Sequence, residues 1–323
     1  MTPIILLTIS IFSTNAYISS SLPPANPLLL SVNSPREIIV IEHHCSSTSI
    51  SPGESSDSQL LYADALFDEN DFDAAILEFK RYIFYNPQSD VLDYALYRIG
   101  QSHYYSHRPA DAQKTLERLL KEYPQSPFRL YARFMLGKTF MDNENFTRAR
   151  NEFDIITQSN EDKKLSAQAQ YLQAWSYLSA RDWYSAIAEF RKVGQFQTDS
   201  PFSIKAERLA DTTLAGIRLP RKSPTLARWM STFLPGSGQI YAGKITNGLI
   251  STAFNAAFIY LLADSIHDKR YVDTVGIYMI GARFYWGNIY NAAQSALEYN
   301  RRLEDRLLEG IIAADYQTTL IDK

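Results

Sequence analysis

From about residue 56 the apolar and small positions of this chain recur at a fixed interval of 37 residues. Ala75, Ala112, Ala149 and Ala186 form one series, and Ala63, Gly100, Gly137 and Ala174 form a second. Phe79, Leu116, Phe153 and Phe190 make a third series, large and apolar, each four residues after one of the alanines. A fourth runs Phe72, Pro109, Phe146 and Trp183, while Pro87 and Pro124 close the first two units. Coincident series at one spacing are the mark of a repeated supersecondary unit.

A step of four residues is one helical turn, so the pattern predicts four helix–turn–helix units stacked side by side. The small residues on each first helix and the alanines on each second helix let the pair approach closely. The large residues one turn later fill the gap between hairpins. Asp71-Phe72-Asp73 and Asn145-Phe146-Thr147 mark turns, and a helix from Phe202 to Ile217 is expected to cap the stack. The predicted fold is all-α, with the repeats over residues 56–217.

These series resemble the tetratricopeptide repeat. Its framework falls on Gly100, His103, Ala112, Leu116 and Pro124 in the second unit, and on Gly137, Phe140, Ala149 and Phe153 in the third. Units three and four carry Glu161 and Thr198 where the closing proline belongs, which predicts altered junctions there. The 37-residue length and the wording YALYRIGQSHYY and KEYPQSPFRLYARFMLGKTF are similar to a periplasmic subgroup. That subgroup includes outer-membrane assembly lipoproteins and the coordinators of the Tol–Pal envelope system. The resemblance implies a binding scaffold whose concave face takes a peptide or helix of a protein partner, with no catalysis and no cofactor. Arg98, Gln101, Arg133 and Lys138 on the first helices are the candidate partner-binding residues, with ordinary solvated surface as the alternative.

After Leu219 the pattern changes. Residues 218–231 form a basic linker with Arg218, Arg221, Lys222 and Arg228, interrupted by Pro220 and Pro224. From Trp229 to Ala263 Lys244 is then the only charge, and Asp264 to Asp273 is a short polar loop. Ile245 to Ala263 is an uncharged run long enough to span a bilayer, and Thr274 to Leu297 is a second run with Arg283 as its one charge. The expected arrangement is a membrane helical hairpin over residues 232–300, followed by an amphipathic tail at 301–323 on the membrane interface or docked on the repeats. Asn247, Asn255, Asn288 and Asn291 keep a soluble helical pair open as the competing reading. Pro235-Gly236-Ser237-Gly238-Gln239-Ile240-Tyr241-Ala242-Gly243, with the later Arg283 and Asn288, resembles a family of small bacterial two-helix membrane domains. That resemblance implies architecture and no chemistry.

Gly238 to Lys244 also fits the G-x-x-x-x-G-K core of a phosphate-binding loop. Such a loop follows a buried strand and places Ser or Thr directly after its lysine. Here Ile245 follows Lys244, and proline and basic residues stand upstream, so an NTPase is the least supported function. The glycines instead predict a tight turn and close packing where the chain meets the membrane.

Composition narrows the remaining classes. The chain of 323 residues has 32 Lys and Arg against 35 Asp and Glu, which leaves no basic footprint for nucleic acid. Cys45 is the one cysteine, so an internal disulfide is excluded. The His43-His44-Cys45 cluster is read as linker rather than metal site, and no metal is expected. His103 and His107 stand one turn apart on an expected helix but lack a third ligand. The acidic run Asp64, Asp68, Glu69, Asp71 and Asp73 lacks the glycine and closing glutamate of a calcium loop.

Residues 1–16 read as a signal peptide without a basic start, and 17–55 as a linker. Export places the repeats in the periplasm of a bacterial envelope. Counting basic residues at the hairpin flanks places them in the cytoplasm. The expected function is a membrane-anchored scaffold with protein partners and membrane lipid around it, able to self-associate. The alternative is a component of an envelope transport or assembly complex.

Overall fold

A computed structural model of the chain describes residues 54–196 and 201–321. The expected signal peptide, nearly all of the linker, the His43-His44-Cys45 cluster and Thr198 lie outside those residues. Eight helices form four successive hairpins: α1 (Glu54–Asp68) with α2 (Phe72–Tyr85), α3 (Leu92–Tyr105) with α4 (Pro109–Glu122), α5 (Arg129–Asp142) with α6 (Phe146–Ser159), and α7 (Lys163–Ser179) with α8 (Trp183–Lys192). Helix α9 (Pro201–Ile217) follows as the expected cap. Then come α10 (Pro224–Phe233), the five-residue α11 (Ser237–Tyr241), α12 (Ile245–His267) and α13 (Tyr271–Ile321). No strand occurs among the described residues.

The residues of the repeat series lie in the interior of the stack. Ala75, Ala112, Ala149 and Ala186 are fully buried, as are Phe79, Leu116 and Phe153. A methyl group added at Gly100 would sit 2.5 Å from Leu116, and one added at Gly137 would sit 2.4 Å from the Phe153 ring. The same helix-on-helix contact therefore recurs one unit later with a different large partner. Gly216 on α9 repeats the idea against Trp183, where an added methyl would lie 2.3 Å from the indole.

A fifth series with the same spacing is conformational. Asn70, His107, Glu144 and Arg181 all take a left-handed backbone, with φ of 66°, 57°, 57° and 60°. Each sits in the turn inside a hairpin. The next residue's N–H reaches back five positions, from Asp71 to Leu66, Arg108 to His103, Asn145 to Phe140 and Asp182 to Tyr177. This is the Schellman closure, which satisfies otherwise orphaned carbonyls at a helix end. Asp71, Asn145 and Asp182 then cap the second helix with their side chains, and Pro109 opens α4 where Arg108 cannot cap.

Junctions between hairpins differ as the missing proline predicts. Asn86 and Tyr123 precede prolines at φ near −123° and −128°, whereas Asn160 turns left-handed at 50°. Asp162 then caps α7 by accepting from the Leu165 N–H.

The C-terminal third departs from expectation in two respects. The second apolar run and the tail belong to the same 51-residue helix, about 77 Å long at 1.5 Å per residue, with no break at residue 300. Among the described residues, only α12 is long and apolar enough to cross a membrane by length and composition. The run Thr274 to Leu297 does not reach that apolarity. The far end of α13 docks on the repeats: Ile311 is buried in their core, with Leu307, Leu308 and Ile312 packed beside it.

A left-handed residue with a side chain is strained where glycine is not. Glu144→Gly is therefore expected to raise stability by about 0.5–1 kcal/mol, read as a higher denaturant midpoint. An unchanged or lower midpoint would refute the strain argument.

Candidate functional site

The four candidate partner-binding residues are engaged within the repeats. Arg98 Nε donates to Asp64 at 2.8 Å, its guanidinium lies 3.7 Å over the Phe67 ring, and Asp68 lies 3.6 Å away. Tyr94 donates to both oxygens of the same Asp64 at 2.8 and 2.9 Å. Together these residues tie the first helix of unit two to that of unit one. Arg133 pairs with Glu152 at 2.8 Å inside unit three. Gln101 is buried, donating to the Tyr97 hydroxyl at 2.9 Å while its Oε1 has no partner. Lys138 is only 2% exposed. The expectation that Gln101 and Lys138 line an open surface is corrected: both are packed within the stack.

Lys138 has an unusual environment. Its ammonium lies 4.9 Å from the centre of the Tyr104 ring, and the Tyr104 hydroxyl bonds Asp142. Burial drives the Lys138 pKa down to about 8 from 10.5, with Asp142 partly opposing the shift. The folded state thus holds this proton less tightly than the unfolded chain. Its destabilising effect is full below pH 8 and fades as pH rises toward 10.5. Lys138→Met is expected to raise stability at pH 7 by about 3 kcal/mol, measured by chemical denaturation. That gain should shrink toward zero by pH 10.5; a gain that persists there would refute the assignment.

His103 and His107 do not share a helix face. Helix α3 ends at Tyr105, His103 is buried with Nδ1 unpartnered, and His107 occupies the left-handed turn. The acidic run is likewise divided: Asp64 receives Arg98 and Tyr94, Asp71 caps α2, and Asp73 pairs with Arg108.

The glycine-rich stretch forms a packed elbow linking α10, α11, α12 and α13. At Gly236 the backbone is left-handed (φ 96°), and an added methyl would lie 2.2 Å from the Gly248 carbonyl oxygen. At Gly238 it would lie 2.0 Å from the Ala227 carbonyl oxygen. Gly243 is left-handed as well, at φ 84°, and Gly248 itself touches Ile240. Ala227, Ala242, Ala292 and Ala296 make the small apolar core between these helices.

A polar chain runs through that core. The Gly238 N–H donates to Ser231 Oγ at 3.0 Å, and Ser231 donates to Gln239 Oε1 at 3.1 Å. Gln239 Nε2 donates to the Asn288 backbone oxygen at 3.1 Å and to its Oδ1 at 2.7 Å. Thr252 donates to the Pro235 carbonyl at 2.7 Å, and the Tyr241 hydroxyl accepts from the Ser223 N–H at 3.1 Å. The motif residues Pro235, Gly236, Gly238, Gln239, Tyr241, Gly243 and Asn288 are thus brought together. Arg283 is not; it lies exposed on α13, away from the elbow.

This geometry does not resemble a phosphate cradle. The Gly238 amide is occupied by Ser231, α11 is a single short turn, and Lys244 pairs with Glu298. Sequence reasoning missed Ser231, Tyr285 and Asn300. Tyr285 donates to the Thr232 carbonyl at 2.7 Å, and Asn300 clasps Lys222 at both its N–H and C=O. Each is an ordinary residue type whose role depends on a neighbour 8 to 78 positions away, and no local pattern announces it.

The tail completes the assembly. Tyr171 donates to Asp315 at 3.3 Å, Lys205 pairs with Asp315 at 2.9 Å, and Arg181 pairs with Asp305. Arg221 in the basic linker reaches Glu304 at 3.0 Å.

Two tetratricopeptide-repeat family models match the chain, over residues 94–126 and 134–200, so it carries tetratricopeptide repeats there. Solved structures similar to it include a tetratricopeptide repeat protein from Parabacteroides merdae, at 13% identity and a TM-score of 0.44, covering 81% of this chain and all of the other. A Podosopora anserina kinesin-light-chain-type protein with nearly identical TPR-like repeats gives 12%, 0.43, and coverage of 52% and 90%. The C-terminal part of a TPR repeat-containing protein from Cytophaga hutchinsonii gives 16%, 0.27, and coverage of 72% and 95%. No curated protein matches the chain.

The clash distances rank the glycines. Gly238→Ala sets a methyl against backbone and is expected to cost about 2 kcal/mol or more. Gly310→Ala, in open space on α13, is expected to be neutral or to stabilise by up to about 1 kcal/mol. Thermal melts of the two variants check this; equal midpoints would refute the packing role of the elbow.

Proposed function

We propose that this chain is a membrane-anchored tetratricopeptide scaffold that holds protein partners in the bacterial cell envelope and performs no catalysis. The observation that carries the reading is the outward apolar surface of the hairpin. Ile245, Leu249, Phe254, Ile259 and Tyr260 on α12 are exposed, as are Val272, Tyr278, Met279 and Trp286 on α13. A hairpin exposing large apolar side chains around its girth suits a hydrocarbon solvent. In this reading α12 and the Thr274–Leu297 part of α13 both cross the bilayer, with the elbow and its basic residues at one surface. The repeats lie at that same surface because α13 runs from the hairpin directly onto them.

Protein or peptide partners bind the concave face of the repeats and lipid surrounds the hairpin. The repeats face the periplasm, following their resemblance to the periplasmic subgroup. A role inside an envelope transport or assembly complex is the finer alternative within the same reading.

Alkaline carbonate is expected to leave the chain in the membrane pellet, and full release would overturn the anchor. Alkaline phosphatase fused at Ser265, by the hairpin tip, is expected to be inactive; activity there would place the repeats in the cytoplasm.

A further inference from the structure

Arg283 is the one cation of the hairpin's apolar stretch. Lys244 pairs with Glu298 where the hairpin begins, and Arg270 at its tip is held by Asp264, Asp268 and Asp273. Arg283 is exposed and has no hydrogen bond, ion pair or ring contact among the described residues. It stands 13 residues after Arg270, which immediately precedes α13, and 15 before Glu298 on that helix. At 1.5 Å per residue those are about 20 and 22 Å, which puts it near the middle of a hydrocarbon core about 30 Å thick. Snorkelling to the headgroups serves residues near helix ends, and Arg283 is not near one.

The helix face around it is shaped for a close neighbour. Gly276 lies two turns before Arg283 and Gly287 one turn after it, on the same side of α13. An added methyl at either glycine would meet nothing within 4 Å, whereas Gly281 on the inner side faces Phe258 at 3.4 Å. Small residues on an outward face let a second membrane helix approach to backbone distance.

A second copy of this chain does not supply the missing charge. All copies insert with one orientation, so the same face in a paired copy presents Arg283 at the same depth. The chain's hairpin acids sit at the tip (Asp264, Asp268, Asp273) and where the hairpin begins (Glu298). Arginine against arginine at mid-bilayer is repulsive, and a lipid phosphate lies too far along the helix.

Resting on the membrane reading above, we infer that the Gly276–Arg283–Gly287 face of α13 docks a transmembrane helix of a different protein carrying an Asp or Glu at mid-membrane depth. The carboxylate pairs with the Arg283 guanidinium, and the glycines set the close approach. The repeats and the hairpin would then hold separate partners, one beside the membrane and one within it.

The test uses full-length protein in phosphatidylethanolamine–phosphatidylglycerol vesicles, with a photo-crosslinking phenylalanine analogue replacing Trp286. Three synthetic Leu/Ala transmembrane peptides serve as probes, with Glu, Leu or Lys at the central position. The Glu peptide is expected to crosslink at least tenfold more than the Leu peptide. Arg283→Leu should erase that preference, and Arg283→Glu should transfer it to the Lys peptide. Equal yields with Glu and Leu peptides, or a preference that survives Arg283→Leu, would overturn the docking proposal. A dominant protein–protein dimer unaffected by the Glu peptide would overturn it in favour of self-association. Release of the protein from the vesicles by alkaline carbonate would instead sink the membrane reading and this proposal with it.

Discussion

Helix α13 meets three environments along one axis, and the rest of the chain is arranged around it. Its first part presents large apolar side chains outward beside α12. Its middle places Ala292 and Ala296 in a buried cluster with Ala227 and Ala242. Its last part buries Ile311 among the repeats and sets Asp305 and Asp315 against Arg181, Tyr171 and Lys205. A helix is stiff over such a length, so these contacts place the repeats at a defined angle to the hairpin without a flexible linker. The stretch at 218–231 that reads as a linker in sequence is instead clasped: Asn300 holds Lys222, and Glu304 holds Arg221.

The same physical device operates in both halves of the molecule with different partners. In the repeats, glycine makes room for a large side chain, Leu116 or Phe153. In the elbow, glycine makes room for backbone, the carbonyls of Ala227 and Gly248. A neighbouring side chain can shift its rotamer by a few tenths of an ångström, whereas a helix backbone moves only as a unit. The elbow is therefore the less forgiving of the two, and its glycines carry more of the architecture per residue than those of the repeats.

The repeat architecture was largely legible in sequence because its signals are local and periodic. Four series of side chains at one spacing specify the hairpins, their contacts and even the altered junction at Glu161. The left-handed series escaped because Asn70, His107, Glu144 and Arg181 have no chemistry in common; only their spacing was available. Arg98, Gln101, Arg133 and Lys138 were legible as members of first helices but not as packed residues, since burial depends on how tightly the stack winds. The elbow was half legible: its glycines and Gln239 stood out, while Ser231, Asn288's exact counterpart and the clasp by Asn300 depend on contacts distant in sequence. The unbroken α13 was missed because its composition changes from apolar to amphipathic near residue 298, and a change of solvent resembles a change of element.

The distribution of polar groups in the hairpin separates structure from recognition. In hydrocarbon every buried donor and acceptor must be matched within the protein. Ser231, Gln239 and Thr252 answer that demand among themselves, with the Asn288 oxygens and with backbone, whereas the buried Asn288 Nδ2 is left without a partner. Asn255 meets the demand by donating to the Ser251 carbonyl at 2.7 Å. Arg283 has no such partner among the described residues, and in the proposed membrane arrangement its cost at mid-bilayer would be about 2.5–3.5 kcal/mol on insertion scales. A cost of that size is a large part of a typical domain's net stability. In the proposed arrangement a counter-charge would offset it, which is why the unpaired arginine marks where another molecule would dock.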